Sequence, residues 1–277
     1  MLHCKADPAA FRLGNTSDTF APYKGTVMRL AILLALMLSF SAQAQVERRD
    51  YKIIASGLSV AFPSGYACEP IASPFASPTR HDGSMRRDDR NKGLHGGIDL
   101  SLEIGTPLLA IADGEVIALG KGGALEGIYR WLRHTPEDTG TRYFIFSKYQ
   151  HLSTLPTLKV GERVKAVKVI GLSGATGTAG KHYGPTGYPH LHLSTFYGPS
   201  DEYEIKGMFG SMVHGKDARL DDSLILYLDG LDDLSAIRSL TDERKTIRPA
   251  VVGDDGRIHP EGRKTVWPVS CKESTKR

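Results

Sequence analysis

Residues 95–200 alternate short apolar runs with glycine-rich turns, and this rhythm constrains the fold more than any other feature of the chain. The runs are brief and bounded by turn residues, so they read as strands. "TPLLAIADGEVIAL" predicts two strands around Asp113-Gly114, a hairpin signal. "RYFIFSKYQHL", "VKVIGLSG" and "HLHLSTFY" predict further strands. Repeated short strands with turn signals point to a mainly β fold built on antiparallel sheet. Residues 45–94 contribute a strand-like piece, "YKIIASGLSVAF", and a loop, "PTRHDGSMRRDDRNKG", that is too charged for a core. Residues 201–277 change character. "DSLILYLDGLDDLSAIRSL" has helix-like spacing and "RPAVVGDDGRI" reads as a hairpin, so an α/β C-terminal extension packed on the core is expected.

The start of the chain carries an address. Met28-Arg29 leads into the apolar run Leu30 to Phe40, and Ala42-Gln43-Ala44 follows as a small-x-small site. A basic start, a short apolar core and an A-x-A ending make residues 28–44 a secretory signal, cleaved after Ala44. The run is too short for a permanent membrane anchor. Residues 1–27 read as an upstream extension. Export to the periplasm or the medium leaves Cys68 and Cys271 in an oxidising compartment, where they can form a bridge or stay as free thiols. The formal net charge of +4 comes from interspersed groups with no Lys/Arg block, which speaks against nucleic-acid binding.

Four of the ten histidines stand in chemical patterns. His95 and Asp99 are four apart in "LHGGIDL", and both side-chain types are good zinc donors. The intervening Gly96-Gly97 allows backbone shapes that a Cβ forbids. His151 lies in "YQHLS", two residues after Tyr149, on one strand face if the strand is regular. His190 and His192 share a strand face in "YPHLHL" and can be ligands, catalytic groups or one of each. His81, His134, His182, His214 and His259 match no such pattern and are expected at the surface.

Taken in order, "GLHGGIDL", "GTPLLAIADGEVIALG", "YQHLS", "VGERVKAVKVIGLSGATG" and "PHLHL" resemble the lysostaphin-type (LytM-domain) zinc endopeptidases of peptidoglycan. The resemblance spans about residues 70–200. It implies an antiparallel β peptidase core with a duplicated hybrid motif over 95–200, and one zinc per chain held by His95, Asp99 and His192. It implies His151 and His190 as catalytic groups beside the metal, and stem or cross-bridge peptides of peptidoglycan as substrate. A periplasmic DD-endopeptidase is the expected activity. A non-catalytic scaffold for other wall hydrolases and a general extracellular zinc protease are the alternatives. The chain departs from the family pattern in three places: the insertion "TAGKHYGPTGY" before H-L-H, a long stretch from Lys121 to Thr141, and Ala166 where a glycine is usual. Both long loops are expected near the cleft.

Overall fold

The structure is a computed structural model and describes residues 51–274 apart from 89–90, 156, 180, 208–210 and 231–232. The signal at 28–44 and the extension at 1–27 lie outside the described residues. Short strands dominate. The first are β1 (Ser59–Val60), β2 (Tyr66–Ala67), β3 (Ile71–Ser73), β4 (Ile98–Ser101), β5 (Pro107–Leu109) and β6 (Gly114–Lys121). Next come β7 (Ile128–His134), β8 (Phe144–Leu152), β9 (Arg163–Val164), β10 (Val169–Leu172) and β11 (His190–Gly198). The last are β12 (Tyr203–Lys206), β13 (Met212–Gly215), β14 (Arg219–Asp221), β15 (Thr246–Ile247), β16 (Ala250–Val252), β17 (Ile258–His259), β18 (Val266–Ser270) and β19 (Lys272–Glu273).

The frame is an eight-stranded antiparallel sheet ordered β3-β4-β11-β8-β7-β6-β9, with β14 also paired to β11. Its long central strands follow from sequence: β8 and β11 are rich in aromatic and β-branched residues that fit a pleated, buried surface. Leu100, Leu191, Leu193, Phe146, Tyr149 and Trp131 are almost fully buried in one cluster. That cluster continues into Leu224, Ile225 and Trp267 of the extension. Among the described residues no helix is long and apolar enough to cross a membrane.

The expected hairpin at Asp113-Gly114 is absent. β5 pairs with β10, whereas β6 pairs with β7 and β9. The Asp113 carboxylate accepts from Ala166 N at 2.7 Å, and the Asp113 carbonyl accepts from Nδ1 of His134 at 2.6 Å. A Cβ on Gly114 would sit 2.6 Å from that same Nδ1, so the pair is a packed corner between two sheets. The chain turns after Ala166 through Val167 at φ 71, a left-handed conformation that glycine adopts far more readily.

The helix-like stretch of the extension forms two 3-10 segments, Ser223–Tyr227 and Leu234–Ser239, separated around Asp229-Gly230. All of Ser223–Tyr227 is buried, so packing on every side decides its shape and no amphipathic face is needed. "RPAVVGDDGRI" does pair as a hairpin, β16 with β17. Cys68 and Cys271 are joined in a disulfide across a sequence separation of 203. Replacing both with serine is expected to lower stability by about 2–5 kcal/mol, read from denaturant midpoints of oxidised wild type and variant.

His134 is not at the surface; it is fully buried. Its Nδ1 donates to the Asp113 carbonyl and its Nε2 lies 2.8 Å from the Ser147 hydroxyl, which supplies the second hydrogen bond. His214 and His259 are half-buried, and His81 and His182 are exposed. Burial pushes the His134 pKa down from 6.5 to about 4. Below pH 6.5 the unfolded chain takes up a proton that the folded protein refuses, so stability falls as pH drops toward 4. The contribution is about 1.4 kcal/mol per pH unit. Denaturant titrations between pH 7 and 4 are expected to show a shallower decline in His134→Gln than in wild type.

Candidate metal centre

Neighbouring strands β4 and β11 bring the first three groups together. Their register sets His192 directly opposite Asp99. Gly97 permits the approach, because a Cβ there would lie 2.4 Å from the Leu193 carbonyl and 2.9 Å from Nε2 of His192. His95 precedes β4 and is 3% exposed. Its Nε2 lies 3.1 Å from Asp99 Oδ1 and 3.0 Å from His192 Nδ1, and His192 Nδ1 lies 2.8 Å from Asp99 Oδ1.

The outer nitrogen of each imidazole decides what the inner one offers. His95 Nδ1 is 3.0 Å from the Pro74 carbonyl, which can only accept, so Nδ1 carries the proton and Nε2 is a lone pair. The Ser194 hydroxyl donates to the Gly96 carbonyl at 2.8 Å. Its oxygen therefore accepts from Nε2–H of His192 at 2.9 Å, which leaves Nδ1 of His192 as a lone pair. Asp99 is an acceptor as well. Three acceptors thus face one another with no proton between them, an arrangement that is repulsive until a cation enters it. A tetrahedral divalent ion such as zinc, with bonds of about 2.0–2.1 Å, spaces its ligand atoms by about 3.3 Å. The observed spacings of 2.8–3.1 Å are within a few tenths of that, and the N,N,O donor set suits the ion.

Burial pushes the Asp99 carboxyl up, but His95 and His192 outweigh it and hold the group well below the ordinary carboxylate range. Burial pushes His192 down to about 4 against the pull of Asp99. A neutral imidazole beside an ionised carboxylate is the form in which these side chains ligate metal.

His151 and His190 adjoin the triangle. Their rings are 4.5 Å apart, and His190 Nε2 is 3.7 Å from Asp99 Oδ1. His190 Nδ1 donates to the Tyr188 carbonyl at 2.8 Å and His151 Nδ1 to the Thr176 carbonyl at 2.8 Å, so both present an unprotonated Nε2. Burial lowers both pKa values, that of His151 strongly. The expectation that Tyr149 and His151 share a strand face is overturned. His151 has φ 65, and four residues of β8 (Tyr149 to Leu152) run opposite three of β7 (Ile128 to Arg130). Between the pairs Ile128–Leu152 and Arg130–Tyr149 the residues Gln150 and His151 thus face Tyr129 alone, and this two-against-one bulge turns His151 to the side of His190. Tyr149 stays in the core, where its hydroxyl accepts from Ile111 N at 3.0 Å and donates to the Leu109 carbonyl at 3.1 Å.

Three features were missed from sequence. Ser194, which orients His192, continues the H-x-H alternation by one more step; that spacing was the available signal. Buried Lys148 and Glu126 pair at 3.3 Å, and Lys148 sits opposite Ser194 in the register. Arg86, from the loop read as too charged for core, reaches Asp99 Oδ2 at 3.5 Å and is only 19% exposed. A run of charges hides which one turns inward.

Residues 93–201 match peptidase family M23. This stretch is an M23 domain. It contains all five candidate residues. A glycyl-glycine endopeptidase of Staphylococcus capitis, ALE-1, is 37% identical over 107 residues, 37% of this chain and 25% of its own length. The peptidoglycan DD-endopeptidase ShyA of Vibrio cholerae is 36% identical over 98 residues, 35% of this chain and 19% of its own length. The chain spans about a quarter or less of the curated relatives it matches. The catalytic domain of lysostaphin from Staphylococcus simulans aligns at 26% identity over 55% of this chain and 86% of that one, with a TM-score of 0.32.

Metal analysis checks the division of labour in the M23 domain. His95→Ala and His192→Ala are expected to lose bound zinc, and His190→Ala to keep it. Ser194→Ala is expected to weaken zinc binding about 10-fold by freeing the His192 tautomer, measured by chelator competition.

Proposed function

We propose that the protein is an exported zinc metalloendopeptidase that hydrolyses peptide cross-links of bacterial peptidoglycan, as a DD-endopeptidase of the periplasm or the medium. The observation that carries this is the triangle of three mutually facing acceptors with two unprotonated imidazole nitrogens beside it. His95, Asp99 and His192 would hold one zinc. When bound, zinc lowers the pKa of its water to about 7 and polarises a carbonyl.

The remaining steps belong to the chain. Nε2 of His151 or His190 accepts the proton of the attacking water, and its lowered pKa makes it a free base at neutral pH. The imidazole that has taken the proton becomes a donor, able to pass it to the leaving amine or to hold the oxyanion. The carbonyls of Thr176 and Tyr188 keep both rings in the required tautomer. The M23 match and the DD-endopeptidase relative support the substrate class.

Purified mature protein, loaded with zinc, is expected to deplete cross-linked dimers when incubated with sacculi, as read by muropeptide analysis. His190→Ala, with zinc retained, is expected to lose at least about 100-fold of that rate. Unchanged muropeptides would favour the scaffold reading, and cleavage of casein at a comparable rate would favour the general protease.

A further inference from the structure

Arg86 is the one cation in contact with the metal-binding carboxylate among the described residues, and nothing in the hydrolytic scheme uses it. Three anchors fix it. Its Nε donates to the Thr79 carbonyl at 3.2 Å, and its Nη2 donates to Ser73 Oγ at 2.9 Å and faces Asp99 Oδ2 at 3.5 Å. Nη1 has no protein partner among the described residues, and it is not one of the sealed polar atoms, so it meets solvent. A guanidinium held by one edge with the other edge open is prepared to accept an oxyacid, because its order is established before the ligand arrives.

The loop that carries Arg86 is itself tied down. Asp82 and His182 meet at 2.7 Å, and Ser84 Oγ lies 3.0 Å from the same His182 nitrogen. The His81 ring stacks on Tyr188 with centroids 3.7 Å apart, and Tyr188 stacks on His190 at 4.4 Å. The insertion before H-L-H therefore clasps the charged loop, and the two loops wall one side of the site. Tyr183 belongs to this wall: burial pushes its hydroxyl up to about 12, Asp99 adds to the shift and Arg86 opposes it.

Charge completes the case. A divalent ion in the triangle takes up the field of Asp99, and Arg86 adds its own charge. With neutral imidazoles the pocket is then two charges positive, more than the attacking hydroxide alone neutralises. A substrate with a free carboxylate beside its scissile bond fits this field, whereas an uncharged glycine bridge leaves Arg86 unanswered.

We propose that Arg86 is a specificity-determining residue that binds a free carboxylate of the substrate next to the scissile amide through its open Nη1 edge. The inference rests on the endopeptidase reading and narrows it to cross-links whose acceptor residue keeps its carboxylate, of which diaminopimelate is the available chemistry.

The test is equilibrium binding by calorimetry, with zinc content verified in every sample. The probes are a stem peptide containing diaminopimelate with its carboxylate free, and the same peptide with that group amidated. Wild type is expected to bind the free acid about 10- to 100-fold more tightly, the range of a charge-assisted hydrogen bond. In Arg86→Gln the ratio should fall to near one, and Arg86→Lys should restore part of it. Equal affinities in wild type, or an undiminished ratio in Arg86→Gln, would overturn the proposal. Loss of zinc in Arg86→Gln would also overturn it, by assigning Arg86 to the support of Asp99. Cleavage is scored separately on cross-linked dimers. A protein that discriminates the probes through Arg86 yet cuts no dimer refutes the endopeptidase reading alone, and one that cuts dimers without discriminating refutes this inference alone.

Discussion

Convergence of three proton acceptors on one point is the constraint from which the rest of the structure follows. Two neutral imidazoles and a carboxylate repel at 3 Å spacing, so the fold must hold them there by other means. The β4–β11 register supplies one restraint by opposing His192 to Asp99. The carbonyl of Pro74 and the hydroxyl of Ser194 supply the others, each fixing a ring through its outer nitrogen. These restraints come from backbone and buried hydroxyl groups, which cost little reorganisation when a cation arrives. The site is thus organised ahead of its metal.

Burial supports the chemistry as well as the packing. His151, His190 and His192 all have lowered pKa values because desolvation disfavours the imidazolium. The Asp99 pKa is lowered too, which favours its charged form: positive charge on His95 and hydrogen bonds from His192 and His95 outweigh its desolvation whenever those rings carry the protons. One environment therefore keeps the nitrogens unprotonated and the carboxylate ionised, the combination that both ligation and general-base action require. Arg86 is the exception in sign, a cation drawn in by Asp99 and kept partly wet.

Much of this was legible in the residues themselves. The turn-punctuated strands of 95–200 announced antiparallel sheet, and the ordered motifs singled out the residues that the fold then gathers, His95, Asp99, His151, His190 and His192. What stayed hidden depends on contacts distant in sequence. Asp113-Gly114 looks like a hairpin by local rule, but His134 and Ala166 capture its carbonyl and carboxylate and open it into a corner. His134 looked like surface because a single histidine carries no periodic signal, yet Asp113 and Ser147 satisfy both its nitrogens in the core. The helical pattern of the extension broke into 3-10 segments because Ser223–Tyr227 is buried on all sides. Arg86 was lost among five arginines and lysines of one loop, since composition does not reveal which member folds inward.

The bulge at His151 acts as a key for strand alignment. In a regular strand, sliding by one residue exchanges the two faces, while sliding by two restores them and leaves a competing alignment. Here only one alignment puts Tyr149 under Ile111, seats Leu152 in the core and turns His151 toward His190. A shift by one residue would turn Tyr149 away from Ile111 and His151 away from His190. The left-handed residue that equips the cleft also removes the competing ways in which β7 and β8 could zip together.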